Sequence, residues 1–160
     1  MQLARGVTHV FFEKSNNSSL TRINDYAFNY LSNVIYIEIP NTVTSIGNNA
    51  FSSCQKVKYI GPPTTSVDMS ERLVKLAGNI TTLGFEIFNY NGTFKELTIG
   101  TSESDLWQII DDSTIVDNVS GDAKFNSLIV YRDPISQSFI TIDWLTSKFG
   151  VANQTEIKPA

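Results

Sequence analysis

Residues 20–40 read LTRINDYAFNYLSNVIYIEIP, and residues 43–63 read VTSIGNNAFSSCQKVKYIGPP. The second segment repeats the first, because Ile46 follows Ile23 and Phe51 follows Phe28 at the same offset of 23 residues. Self-similarity with a fixed period of this length is the signature of a protein built from stacked repeats. The sequence therefore predicts a solenoid, in which neighbouring turns of the chain bury a continuous core between them.

Apolar residues occupy the same places in each copy, counted from the phenylalanine of its Ala-Phe pair. These places are −8, −5, −1, 0, +6, +9 and +11, and the second copy has Pro62 at the last of them. Counting from Phe88 fills every place again, so residues 80–99 are a third copy, displaced from the second by 37 residues. Residues 7–12 and 125–130 repeat only the places +6, +9 and +11. We therefore expect about five short parallel strands, with Phe28, Phe51 and Phe88 stacked inside the coil.

These residues resemble a known repeat family. The patterns IxxYAFxxLxxVxxIxIP at residues 23–40 and VTSIGxxAFxxCxxVxxI at residues 43–60 are similar to the BspA-type leucine-rich repeat of bacterial and protist surface proteins. The resemblance implies a solenoid and an interaction module, and it carries over no catalytic residue. Cys54 stands where the family often has a cysteine, and we interpret it as a small buried hydrophobic residue.

We interpret residues 1–160 as one α+β leucine-rich-repeat solenoid with an inserted helix and a helical C-terminal cap. The parts of this domain are a capping strand and loop (1–19), two clear repeats (20–63), a helical insertion (64–78), a third repeat (79–100), a degenerate repeat (101–133), and a cap and tail (134–160). Because the ends of a repeat stack would expose its core, the first strand and the last helix are the expected caps.

Three helices are expected. In the insertion, Asp68 and Glu71 resemble a capping box, and Gly78 supplies a stop. Residues 102–112 fit a short helix with its apolar side chains turned inward. Residues 141–149 fit a last helix that carries Trp144, and residues 154–160 are expected to be a frayed tail.

Composition and charge exclude several functions. The chain has a net charge of −4 and an isoelectric point near 4.9, so it lacks the basic patch of a nucleic-acid-binding protein. No run of about 18 apolar residues that could span a bilayer is present. The first fifteen residues lack the long apolar segment and cleavage site of a signal peptide.

Few residues could carry catalysis. His9 is the single histidine and Cys54 the single cysteine, which excludes histidine triads, multi-histidine metal sites and an intrachain disulfide. No glycine-rich phosphate loop occurs, and we expect no cofactor. An acidic stretch lacks the order of a calcium loop, so its residues fit helix ends and turns better than a pair for sugar hydrolysis. These residues are Asp105, Asp111, Asp112, Asp117 and Asp122.

The strands predict a binding surface. Side chains alternate across a sheet, so the +8 and +10 places should point outward. The +8 column is His9, Tyr36, Tyr59, Glu96 and Ser127, and the +10 column is Phe11, Glu38, Gly61, Thr98 and Ile129. Exposed aromatic side chains on a rigid sheet are good binding anchors. The candidate binding residues are therefore His9, Phe11, Tyr36, Glu38, Tyr59 and Glu96. The alternatives are a purely stabilising aromatic ladder, or a column covered by the insertion.

Three functions fit these observations. The leading interpretation is a non-enzymatic recognition or adhesion module that binds a protein or glycan on a host or neighbouring surface. The second is a structural component of a larger assembly, such as a phage virion or fibre protein, with a homo-oligomer or an assembly partner. The third, less favoured, is a glycan-active enzyme. The first two predict a location outside the cell, at the cell surface or on a virion, and a cytoplasmic location stays open.

Overall fold

The computed structural model describes residues 6–12 and 19–159. Most of the predicted N-terminal loop lies outside these residues, as do residues 1–5 and Ala160. Within them, two parallel sheets form the walls of a coil: a seven-stranded sheet in the order β1-β3-β5-β6-β8-β9-β10 and a three-stranded sheet in the order β2-β4-β7. The elements are β1 (His9–Val10), β2 (Arg22–Ile23), β3 (Tyr36–Glu38), β4 (Ser45–Ile46), β5 (Tyr59–Gly61), β6 (Leu73–Leu76), β7 (Thr82–Leu83), β8 (Thr93–Ile99), β9 (Lys124–Tyr131), α1 (Ile142–Phe149) and β10 (Gln154–Lys158).

The five predicted strands and their register are confirmed. His9 pairs with Tyr36, which pairs with Tyr59, and Glu96 pairs with Ser127, so the +8 residues form one column. The described residues therefore form a parallel-strand solenoid of about five turns. The second sheet was not predicted. Its strands β2, β4 and β7 end at Ile23, Ile46 and Leu83, which occupy the −5 place of the three copies. These residues are buried, whereas the strand residue before each of them is exposed or half-buried.

The core contains an inner aromatic ladder, defined as Phe28, Phe51 and Phe88. Their ring centroids are 5.8 Å and 6.1 Å apart, with the rings nearly parallel, as the repeat pattern predicts. Cys54 is fully buried beside them, and its thiol donates to the Phe28 carbonyl at 3.1 Å. Burial raises the pKa of this thiol to about 12. The interpretation of Cys54 as a buried hydrophobic residue is confirmed.

Side-chain acceptors tie one turn to the next. The Asp25 carboxylate accepts from the backbone N–H of Asn48 at 2.8 Å, and the Asn48 side-chain oxygen accepts from the N–H of Phe85 at 3.0 Å. These donors lie in irregular turns, where no strand ladder supplies a partner, and the side chains of the preceding turn supply the acceptors instead. These bonds keep successive turns in register, both before and after the insertion.

The predicted helix in the insertion is wrong. Residues 62–72 form an irregular loop, and β6 then enters the sheet between β5 and β8. Val74 and Leu76 are fully buried while Lys75 is exposed, which is the period of two residues expected of a strand. Met69, Leu73 and Leu76 also fit a helix, but a helix would leave the edges of β5 and β8 unpaired.

The predicted helix at residues 102–112 is also wrong. Trp107 and Ile109 are buried, whereas Ile110 is 88% exposed, so the side chains alternate. The backbone N–H of Trp107 donates to the Tyr131 carbonyl at 2.9 Å, and the Trp107 indole donates to the Ile80 carbonyl at 2.8 Å. Neighbouring turns therefore supply the hydrogen-bond partners that a helix would have supplied internally.

The last helix forms as expected, whereas the tail does not fray. Thr141 caps α1 by accepting from the Trp144 N–H, and Leu145 and Phe149 are buried. Trp144 and Phe149 pack on Trp107 with centroid distances of 5.9 Å and 6.2 Å. The chain then adds β10 to the free edge of β9, with Gln154 opposite Ser127. One short helix is present among the described residues, and its role as a cap stays a prediction.

Candidate binding face

The outer side of the seven-stranded sheet, here called the strand face, carries a second aromatic ladder. This outer aromatic ladder consists of His9, Phe11, Tyr36 and Tyr59. The Tyr36 ring lies 5.3 Å from that of Tyr59, 5.1 Å from that of Phe11 and 5.9 Å from that of His9. Parallel pairing in register places these rings above one another, as the +8 and +10 columns predict.

The expectation that the whole ladder is open to solvent is wrong. Tyr36 is only 3% exposed, Tyr59 5% and Glu38 8%, whereas His9 is exposed and Phe11 is 63% exposed. The insertion covers the middle of the strand face, because the Tyr59 hydroxyl donates to the Pro62 carbonyl at 2.6 Å and the Thr64 N–H donates to the Tyr36 hydroxyl at 3.5 Å. Burial raises the pKa of both tyrosines, most strongly that of Tyr59.

An open cleft of about 660 Å³ remains between the insertion and the first strand. We call it the N-terminal cleft. Its lining consists of Phe11, Phe12, Glu38, Pro63, Thr64 and Thr65. The sequence identified Phe11 and Glu38 but missed the wall formed by residues 63–65. The Pro62–Pro63 pair could have indicated that wall, since proline disfavours a helical conformation in the residue before it.

Glu38 lines the N-terminal cleft and has few partners. Its carboxylate accepts one hydrogen bond, from the Tyr36 hydroxyl at 3.4 Å. On the next strand the paired residue is Gly61, which brings no side chain toward it. None of the ion pairs among the described residues involves Glu38. The cleft therefore contains a nearly buried carboxylate without a counter-charge from the described part of the chain.

Arg72 fixes the C-terminal end of the loop whose first residues form the cleft wall. Its guanidinium donates to the carbonyls of Val57 at 2.8 Å, Asn91 at 2.5 Å and Thr93 at 3.1 Å. It also stacks over the Phe94 ring, 4.2 Å from the centroid. The planar fork of arginine satisfies several carbonyls at once, so one side chain joins the insertion to the two segments that lead into β5 and β8.

Glu96, the sixth candidate residue, lies apart from the other five. Leu73 of the inserted strand separates it from Tyr59 in the column. It is partly exposed and lines a smaller cleft of about 360 Å³ with Lys95, Asn126, Ser127, Asn153 and Gln154. The C-terminal half of the strand face is thus polar, and the structure brings together His9, Phe11, Tyr36, Glu38 and Tyr59 only.

The aspartates of the acidic stretch accept hydrogen bonds or form ion pairs, both within turns and between neighbouring turns of the solenoid. Asp105 accepts from the N–H groups of Gly78 and Thr101, and Asp122 accepts from the N–H of Tyr90 at 2.7 Å. Asp117 pairs with Lys148 at 3.0 Å. Across residues 6–12 and 19–159, no group of three or more possible ligands is placed to hold a metal ion. Nor does any helix of that part of the chain have the length and apolarity needed to cross a membrane.

Comparison with known proteins gives one result. The model of the "BspA type Leucine rich repeat region" matches residues 14–106 with six copies, which is more than half of the chain. No curated protein and no solved structure gives a significant match. The matched residues include both clear repeats, the insertion and the third repeat, whose turns share one register. The chain therefore belongs to the BspA-type leucine-rich repeat family.

Proposed function

We propose that this protein is a non-enzymatic recognition or adhesion module that binds a partner at the N-terminal half of the strand face. Leucine-rich repeats of its family generally mediate protein interaction or adhesion, are generally non-enzymatic, and occur in proteins that are typically surface-associated. The observation that carries the proposal is the N-terminal cleft, which joins an exposed aromatic end to a nearly buried carboxylate. We extend the proposal to a location at a cell or particle surface.

Two features support a contact role for this half of the face. Phe11 offers a large exposed ring held against Tyr36, and such rigid aromatic side chains lose little conformational freedom on binding. The rest of the outer aromatic ladder is already fixed by stacking and by the insertion, so the wall of the cleft is formed before a partner arrives. Preorganisation of this kind reduces the entropic cost of association.

The experiment is a binding screen with two matched variants. The protein is exposed to a random peptide library and to a glycan array, and dissociation constants of the recovered ligands are then measured. We expect Phe11→Ser to weaken binding at least tenfold. Tyr30→Ser serves as the control, because Tyr30 is at least as exposed as Phe11 but lies in a turn outside the strands of the strand face. Failure to recover any ligand, or an equal loss with both variants, would contradict the proposal.

A second candidate function is a building block of a larger assembly, such as a virion or fibre. The open edges of the seven-stranded sheet support it, because β1 and β10 each have one neighbour among the described strands. Two unlike edges of one parallel sheet could join head to tail, which produces rings or filaments. Light scattering at increasing protein concentration tests this candidate. A mass that stays at that of one chain up to millimolar concentration would exclude it.

A further inference from the structure

We propose that the N-terminal cleft binds the side chain of an arginine presented by a partner protein, with Glu38 as its counter-charge. This inference rests on the proposed function and deepens it, since it names the chemical class of the ligand.

The carboxylate of Glu38 has fewer partners than a buried charge needs. Glu38 is more than nine-tenths buried, lines the cleft and receives one long hydrogen bond from Tyr36. A buried carboxylate without a cation or several donors is unfavourable, because burial removes the water that stabilises its charge. A cation that enters the cleft from solvent would restore that stabilisation, whereas an anionic ligand would not.

Phe11 gives one wall of the cleft an aromatic face. Its ring is 63% exposed and lies 5.1 Å from that of Tyr36 at an angle of 36°. Phe12 also lines the cleft, and its ring packs edge-on against Phe28 at a centroid distance of 6.0 Å. The faces of aromatic rings attract cations, and a guanidinium stacks on them because it is planar. Arg72 provides an internal example in this molecule, since its guanidinium lies 4.2 Å above the Phe94 ring.

The opposite wall of the cleft is uncharged. Residues 63–65 provide proline and threonine, which carry no charge that would compete with a cation. Their backbone carbonyls and hydroxyls are acceptors, and arginine has five N–H donors that a single carboxylate cannot satisfy. A cleft with one carboxylate, an aromatic face and neutral acceptors matches a guanidinium better than a sugar, because a sugar brings no positive charge to balance Glu38.

The test is an NMR titration of the full chain with N-acetyl-arginine amide and with N-acetyl-citrulline amide, its neutral isostere. We expect the arginine compound to shift the backbone amide signals of Glu38, Gly61 and Thr64, and to bind at least tenfold more tightly than the citrulline compound. Glu38→Gln should remove this preference. Glu96→Gln should retain it, because Glu96 is a carboxylate of the same face outside the cleft.

The comparison of the two compounds on the unaltered protein needs no variant, so it remains decisive if Glu38→Gln unfolds. Equal affinity for arginine and citrulline, or signal shifts confined to residues outside the cleft, would overturn the inference. If library ligands still depended on Phe11 in that case, the proposed recognition function would stand and only the ligand class would be wrong. If no library ligand bound either, both would fail.

Discussion

Two aromatic ladders run along the same stack of repeats, one inside the coil and one outside it. The inner aromatic ladder places Phe28, Phe51 and Phe88 at centroid distances of 5.8 Å and 6.1 Å, and the outer one places Tyr36 and Tyr59 at 5.3 Å. Parallel strands in register set the spacing of the outer aromatic ladder. The phenylalanines of the inner one lie in turns, and backbone hydrogen bonds between equivalent turns set a similar spacing there. The two ladders differ in what removes them from water.

The inner aromatic ladder is enclosed by the repeats themselves, since each turn places its apolar residues toward the axis of the coil. The outer aromatic ladder is enclosed by a segment that the repeats do not encode. Pro62 and Thr64 of the insertion cover Tyr59 and Tyr36, while Phe11 remains outside the cover. The difference teaches that the period of a repeat specifies a column of side chains, whereas its exposure depends on the irregular segments around it.

Removing the C-terminal end of the stack should have the largest effect, because it uncovers the core that contains the inner aromatic ladder. A chain that ends at Asp133 lacks α1 and β10, and it would expose Trp107, on which Trp144 and Phe149 now pack. We expect the truncated protein to aggregate, as measured by light scattering during expression and purification. A chain that lacks only Pro159 and Ala160 is the control. A soluble, monodisperse truncation at Asp133 would contradict the capping role.

Removing one ring from each ladder should lower the free energy of unfolding by unequal amounts. Phe51 is fully buried between two rings, so Phe51→Ala should lower the free energy of unfolding by about 3–5 kcal/mol. Phe11→Ala, at the exposed end of the outer aromatic ladder, should cost less than about 1 kcal/mol. Urea denaturation of both variants measures the difference. Equal losses would mean that the two ladders are equivalent in stability.

Releasing the insertion should expose the outer aromatic ladder without opening the core. Arg72→Ala removes three hydrogen bonds to backbone carbonyls, and we expect a loss of about 1.5–3 kcal/mol in the free energy of unfolding. Acrylamide should then quench tyrosine fluorescence more strongly than in the unaltered protein. Arg72→Lys keeps the charge but not the planar fork, so it should behave like alanine in the quenching experiment. Unchanged quenching in both variants would show that the insertion is held by other contacts.

High pH should weaken the covered ladder. Burial raises the pKa of Tyr36 and Tyr59 above the ordinary value of 10.0, so their neutral form is favoured in the folded state. The resulting stability is fully present below about pH 10 and is lost as the pH rises from there toward the folded pKa values, by up to about 1.4 kcal/mol per pH unit for each group. The measurement compares unfolding free energies at pH 9 and pH 11.

That measurement uses a Cys54→Ala background, because the pKa of this thiol is also raised by burial, to about 12. Tyr36→Phe combined with Tyr59→Phe is the matched variant, and its stability should depend less on pH. An equally steep decline with and without the two hydroxyls would contradict a role for tyrosine burial.

The regular parts of the fold could be predicted because the period carries redundant information. Three copies agree at every inner place except +11, where the second copy has Pro62, and the +8 and +10 columns follow from the alternation of side chains. The insertion contains no such redundancy. Its apolar residues fit a helix through Met69, Leu73 and Leu76, and a strand through Val74 and Leu76, and only the edges of β5 and β8 decide between the two. Val74 and Leu76 have the spacing of the +9 and +11 places, a signal that favours the strand.

The predicted frayed tail and the predicted exposure of the outer aromatic ladder were wrong for the same reason, because both depend on segments that the repeat does not encode. Residues 154–158 are mostly polar and match no repeat, yet the free edge of β9 provides backbone partners for them. For the candidate binding residues, the sequence could place Tyr36, Glu38 and Tyr59 on one face, because their register follows from the repeat. It could not reveal their burial, which depends on the path of residues 62–65 rather than on the strands that carry the tyrosines.

The hydrogen bonds that join successive turns have a consequence for how this architecture tolerates change. Asn48 is linked to a residue 23 positions earlier and to one 37 positions later, with nearly the same bond length. By the logarithmic dependence of loop closure on length, the longer connection costs only about 0.4 kcal/mol more in chain entropy. A solenoid can therefore lengthen one of its turns at small cost and keep its register. The added chain is then free to shape a cleft, and related stacks could acquire different ligands by enlarging different turns.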